Sequence, residues 1–181
     1  MKTINNNKCI TVVLLIIFSL NFTWSQTYSE DEESESTEAS TTVNGQEFSQ
    51  SDFSSFFNTT PNVVLETIQS NSISIQQVGS TNNVSARVAS RASEININQN
   101  GLNNNVNLTY QVDAVVATLG QNGNDNTILD YVIDPNAKVS LDLQQNGNNL
   151  TFDKFGTNEI TKNIKFTQTE ASPTIIIRSF N

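Results

Sequence analysis

Gly79, Gly101, Gly123 and Gly147 recur at spacings of 22, 22 and 24 residues, each inside the same local phrase. The first copy reads Ile73-Ser74-Ile75-Gln76-Gln77-Val78-Gly79-Ser80-Thr81-Asn82, and the second Ile95-Asn96-Ile97-Asn98-Gln99-Asn100-Gly101-Leu102-Asn103-Asn104. The third is Ala117-Thr118-Leu119-Gly120-Gln121-Asn122-Gly123-Asn124-Asp125-Asn126, and the fourth Leu141-Asp142-Leu143-Gln144-Gln145-Asn146-Gly147-Asn148-Asn149. A degenerate fifth begins at Ile164-Lys165-Phe166-Thr167-Gln168 and resumes at Thr174-Ile175-Ile176-Ile177, without the Gly or the Asn. A unit this short, repeated at a near-constant period, must bury its apolar face against its neighbours, so the expected product is a linear stack.

Within each copy the apolar residues alternate, as in Ile73/Ile75, Ile95/Ile97, Leu141/Leu143 and Ile164/Phe166. A period of two belongs to a strand. The Gly-centred polar cluster that follows is a turn, since Gly reaches positive φ without a steric penalty. A second alternating run closes the copy: Val84/Ala86/Val88, Val106/Leu108/Tyr110, Leu150/Phe152 and, less cleanly, Ile128 with Val132. One copy therefore reads strand, turn, strand, turn, and helix-pair repeats are excluded by the period and by the density of β-branched residues and Asn. The expected fold is all-β, a β-solenoid of rungs of about 22 residues.

Stacking is also what the energetics demand. About five inward apolar side chains per copy contribute on the order of 10 kcal/mol. Ordering some 22 residues costs at least about 1 kcal/mol each for the backbone alone. A lone rung cannot fold, but a rung about 4.7 to 4.8 Å from another pairs its backbone above and below. A carboxamide carries both donor and acceptor and bonds to its own copy one rung away. Gln77, Gln99, Gln121, Gln145 and Gln168 are thus expected to form one ladder, and Asn82, Asn104 and Asn126 another, around the turn glycines Gly79, Gly101, Gly123 and Gly147.

The flanks differ in kind. Met1 to Lys8 carries Lys2 and Lys8, Ile10 to Leu20 is almost wholly apolar, and Thr23 and Ser25 are small residues before Gln26. That is the pattern of a secretory signal peptide over residues 1–25. The apolar run is shorter than the roughly 20 residues a spanning helix needs. Cleavage would remove Cys9 and both lysines, taking the net charge from -9 to -11 and leaving no Cys for a disulfide. Thr27 to Thr42 is built from Ser, Thr and six acids without a base, so residues 26–60 are expected to be a disordered acidic leader before a repeat domain over 61–181. Within that leader Phe53, Phe56 and Phe57 stand at i, i+3 and i+4, the spacing of one short amphipathic turn; a sticky, partly ordered linker is the plainer alternative.

Composition removes most other functions. With 18 Asp and Glu against 9 Lys and Arg, and a pI near 4.3, the chain lacks the basic face a nucleic-acid binder uses to displace counterions. The sequence has no His and a single Cys, which excludes Cys-His and Ser-His-Asp nucleophile systems and the common zinc sites. The acids Glu94, Asp113, Asp130, Asp134, Asp142 and Asp153 fall at different offsets in successive copies, so no paired-carboxylate site emerges. No catalytic residue, metal or cofactor is expected, and the chain is read as a non-enzyme.

The phrase Gln, one residue, Gly, two residues, Asn, then an apolar position two further on, at a 22-residue period after a signal peptide and polar leader, resembles the curlin repeat of curli fibre subunits. The resemblance covers Ser72 to about Asn181. It implies a secreted subunit of an extracellular functional amyloid, exported through an outer-membrane pore with accessory factors and assembled with itself and other curlin-like subunits for adhesion and biofilm matrix. It also implies that the Gln and Asn residues named above form the stacked ladders. The chain departs from the pattern: Val84, Val106 and Ile128 replace the small residue, Val88 and Tyr110 replace a second Gln, the fourth turn reads as shortened by a residue or two, and the fifth copy is degenerate. Those departures leave a major or a minor, nucleating or capping, subunit open. The alternative from another class is a monomeric cell-surface β-solenoid that acts as an adhesin or binds a ligand. The degenerate copy, Ile164 to Phe180, is expected to close the C-terminal end of the stack.

Overall fold

The structure is a computed structural model and describes residues 40–180; the expected signal peptide and the leader up to residue 39 lie outside the described residues. The alternating runs become the five long strands of one parallel sheet in sequence order, β3 (Asn71–Ser80), β4 (Ser90–Leu102), β5 (Tyr110–Asn122), β6 (Val132–Asn146) and β7 (Asn163–Thr169). Each strand lies beside its own copy one period away, with Ile73 opposite Ile95, Ile95 opposite Ala117, Ala117 opposite Leu141 and Leu141 opposite Ile164. The chain is a β-solenoid of about four turns with rungs about 22 residues apart.

The inward residues of the strands and of the arcs that follow them make one continuous core running through Ile95, Leu119, Leu143, Leu108, Ile128 and Phe152. The period of 24 has a local cause. Val112 pairs with Asp134 but Ala114 pairs with Lys138, so the two extra residues are absorbed as a bulge around Pro135 and Asn136. Pro lacks the N–H that a sheet interior requires, and a bulge is where a sheet tolerates it. The fourth turn, expected to be short, has full length: Leu150 stands in the Asn position and its N–H bonds to Asn126 Oδ1 at 3.0 Å.

The second strand of each copy is the main departure from the sequence reading. It contracts to one bridging residue per rung, in the column Asn83, Asn105, Thr127, Thr151 and Thr174. Beyond it the chain bends through left-handed residues, among them Val88, Leu108 and the run Leu129 to Ile133. Val106, Leu108, Ile128, Leu150 and Phe152 remain buried as alternation required, but Tyr110 and Val132 begin the next long strands. Closing a coil in about 22 residues with one face already spanning 13 to 15 leaves too few for a second long strand.

Residues 40–70 correct the expected domain boundary. β1 (Ser40–Val43) pairs antiparallel with β2 (Gln46–Glu47) and with β8 (Ile177–Phe180), so the first and last described segments share a sheet. α1 (Gln50–Phe56) begins at Ser49, whose side chain accepts the Asp52 N–H as an N-cap, and buries Phe53. The Phe spacing allows this turn, and the disorder expected over 26–60 fails from Ser40 onward, where β1 pairs with β8 and Phe53 and Phe57 find a core to enter. A 3-10 turn, Val63–Glu66, sets Leu65 against Ala114 and Val116 on the outer face of β5. That contact explains the unbroken Ala114-Val115-Val116-Ala117 run: this strand is buried on both faces.

Candidate functional site

The residues the sequence singles out are those repeated from rung to rung, and the site is built from them. Gln77 Nε2 donates to Gln99 Oε1 at 2.6 Å, Gln99 to Gln121 and Gln121 to Gln145 at 2.8 Å each, and Gln145 to Gln168 at 2.9 Å. From the second rung on, each Nε2 also donates to the bridging residue of the facing arc: Gln99 to Asn83 O, Gln121 to Asn105 O, Gln145 to Thr127 O and Gln168 to Thr151 O. The second bond ties the long strand to the opposite wall of the coil. Gln99, Gln121, Gln145 and Gln168 are buried and fully paired, the condition under which a polar group is tolerated in a core.

Asn82, Asn104 and Asn126 are brought into register by a different bonding scheme from the one expected. Their side chains do not bond to one another. Asn82 Oδ1 accepts the Asn104 N–H at 3.0 Å and Asn104 Oδ1 the Asn126 N–H at 3.2 Å, while the three Nδ2 groups donate to the carbonyls of Gly101, Gly123 and Gly147. These short side chains act as staples between a turn and the next. The glycines make that approach feasible: a Cβ on Gly101, at φ +134°, would lie 1.9 Å from Gly123 O. Carboxamide-to-carboxamide bonds occur instead at Asn83 to Asn105, 2.8 Å, and Asn122 to Asn146, 3.0 Å, pairs the repeat phrase carried but sequence reasoning passed over.

One polar group inside the core was also missed. Tyr110 OH donates to Asp130 Oδ2 at 2.8 Å, and Lys154 Nζ lies 3.1 Å from Asp130 Oδ1, with both charged side chains almost fully buried. Burial first, and the Asp130 charge second, push the Tyr110 phenol well above its ordinary pKa, so it stays a neutral donor. The three come from successive rungs at spacings of 20 and 24, off the 22-residue frame, which is why a search for repeats does not find them.

The two ends of the stack differ. At the N-terminal end β3 is an edge strand with all ten residues exposed, and no strand among the described residues pairs with its outer side. Ile73 and Ile75 are 48% exposed although their equivalents Ile95 and Ile97 are 0% and 3%. At the C-terminal end Asn58 exchanges two backbone hydrogen bonds with Lys165, and the Phe57 ring meets the Phe166 ring edge-on with centroids 5.0 Å apart. The ladder also terminates there, because Gln168 Nε2 bonds to Ser172 O and Pro173 O of its own turn. Comparison with protein families, with curated proteins and with solved structures finds no match to this chain.

Proposed function

We propose that the chain is a secreted structural subunit of extracellular curli-like amyloid fibres, acting in cell adhesion and biofilm matrix, and that it is a minor or nucleating subunit. The observation that carries this reading is the β3 edge: a rung built for stacking, in register with four others, whose outer backbone no strand among the described residues pairs and whose Ile side chains are half-exposed. Proteins that remain monomeric blunt such edges with charge or cover them. β3 carries neither Lys nor Pro. Its partners are other curlin-like subunits, reached after export through an outer-membrane pore. The closed C-terminal end supports a minor role, because a main subunit needs two open ends to propagate.

That closed end equally favours the second reading, a monomeric surface adhesin. Immunogold electron microscopy of cells exporting the chain separates the two. Label at isolated points along extracellular fibres is expected, and label spread over a fibre-free cell surface would overturn the fibre reading.

A further inference from the structure

The ladder has a direction, and it leaves different chemistry at its two ends. Every Nε2 points toward the C-terminal neighbour, so the Oε1 of each inner Gln accepts from the rung before it. Gln77 stands in the first rung, and no described residue donates to its Oε1. The edge therefore presents an acceptor in line with a strand of unpaired backbone. What completes it is a parallel strand carrying a carboxamide nitrogen at the register of Gln77, which is how β3 itself completes β4.

Three other occupants lack that chemistry. A second copy approaching with its own last rung is blocked by Asn58 and Phe57, has its Gln168 nitrogen already bonded to its own turn, and sets Glu170 where the lattice has Gly. Two copies meeting β3 to β3 across a two-fold axis would either run antiparallel or turn their inward faces opposite ways, so neither Gln77 would extend the parallel, in-register ladder of the other. Residues 27–39 of the same chain contain six acids and neither Gln nor Gly.

We propose that β3 is a docking edge for the last strand of a different repeat chain, one whose terminal rung is uncovered and offers a carboxamide nitrogen at the Gln77 register. Residues 40–58 restrict this chain to that one edge. It either begins or ends a stack and does not sit within one. The inference deepens the fibre-subunit reading and rests on it for the identity of the partner, while the edge chemistry is testable without fibres.

The probe is a fluorescent peptide with the sequence of residues 93–104, titrated into the full exported chain and followed by anisotropy and by hydrogen exchange. Saturable binding that slows exchange of the β3 amides is expected. Ile73→Lys and Ile75→Lys in the chain, each verified as folded by circular dichroism, should weaken binding about tenfold, as should Gln99→Glu in the peptide, which removes the donor. Phe56→Lys, on the exposed face of α1 at the other end, should leave binding unchanged. Absence of binding, binding indifferent to both β3 substitutions, or a dimer of the chain alone that those substitutions abolish would overturn the proposal. Peptide binding in a chain that never labels fibres would sink the fibre reading and leave the edge standing; fibre label without peptide binding would do the reverse.

Discussion

The first and last strands of the same sheet, β3 and β7, present equivalent inward residues and end in opposite states. Ile73 and Ile75 face solvent at one end, whereas Ile164 is buried and Phe166 is packed under Phe57 at the other. The difference lies outside the repeat. A solenoid rung has two strand edges to pair by construction, and among the described residues the nonrepetitive segment 40–58 covers one of them and leaves the other exposed. A repeat supplies stability and an accessory segment supplies polarity.

The comparison is broken or sharpened most by truncating apolar side chains at each end. Phe53→Ala, within the buried cover of the closed end, should cost about 4 kcal/mol of unfolding free energy; Ile73→Ala at the open end should cost less than about 1 kcal/mol. Urea denaturation of both variants measures this, and equal losses would mean that the ends do not differ as described. Next in size is the ladder. Gln99→Glu places a carboxylate in a buried, fully paired position against Gln121 Oε1, for a loss of about 3 kcal/mol at neutral pH. Burial raises the folded-state pKa of such a Glu above its unfolded value near 4.3, so the loss should shrink below about pH 4, where the single O–H replaces one of the two lost donations, and grow as pH rises. Gln77→Glu, at the open end, should show a much shallower pH dependence by thermal denaturation across that range.

A smaller contrast concerns the turns. A Cβ at position 101 meets a backbone oxygen at 1.9 Å, whereas at position 147 it meets the Glu170 side chain, with Cγ at 2.8 Å, which can move. Gly101→Ala should therefore cost about 2 kcal/mol more than Gly147→Ala, although both incur the positive-φ penalty. The smallest effect belongs to the exposed ties between rungs. The hydrogen bond from Arg91 holds the Asp113 carboxyl below the usual carboxylate range. A lowered folded-state pKa adds stability above the unfolded value and loses it as pH falls, and Arg91→Ala should return the Asp113 titration, followed by NMR, to the ordinary range without a measurable change in unfolding midpoint.

The sequence by itself determined the solenoid, because a 22-residue period with two-residue alternation has few ways to bury its apolar face other than by stacking, and because Gln at one offset matches the next Gln once strands are in register. It determined the inward residues of the arcs for the same reason, since alternation reports burial whether or not a strand is paired. Tertiary structure alone decided the rest. The second strand shrank to the Asn83-to-Thr174 column because coil closure, a property of the whole rung, consumed the residues that alternation assigned to it. The Asn side chains turned to backbone because the Gly carbonyls came within their short reach. Asp130 and Lys154 met across 24 residues with no repeated offset to betray them. Phe53 and Phe57 became a cover and not a linker because apolar residues need a surface to enter, and the Phe166 surface exists only after the last rung has formed, more than a hundred residues away along the chain.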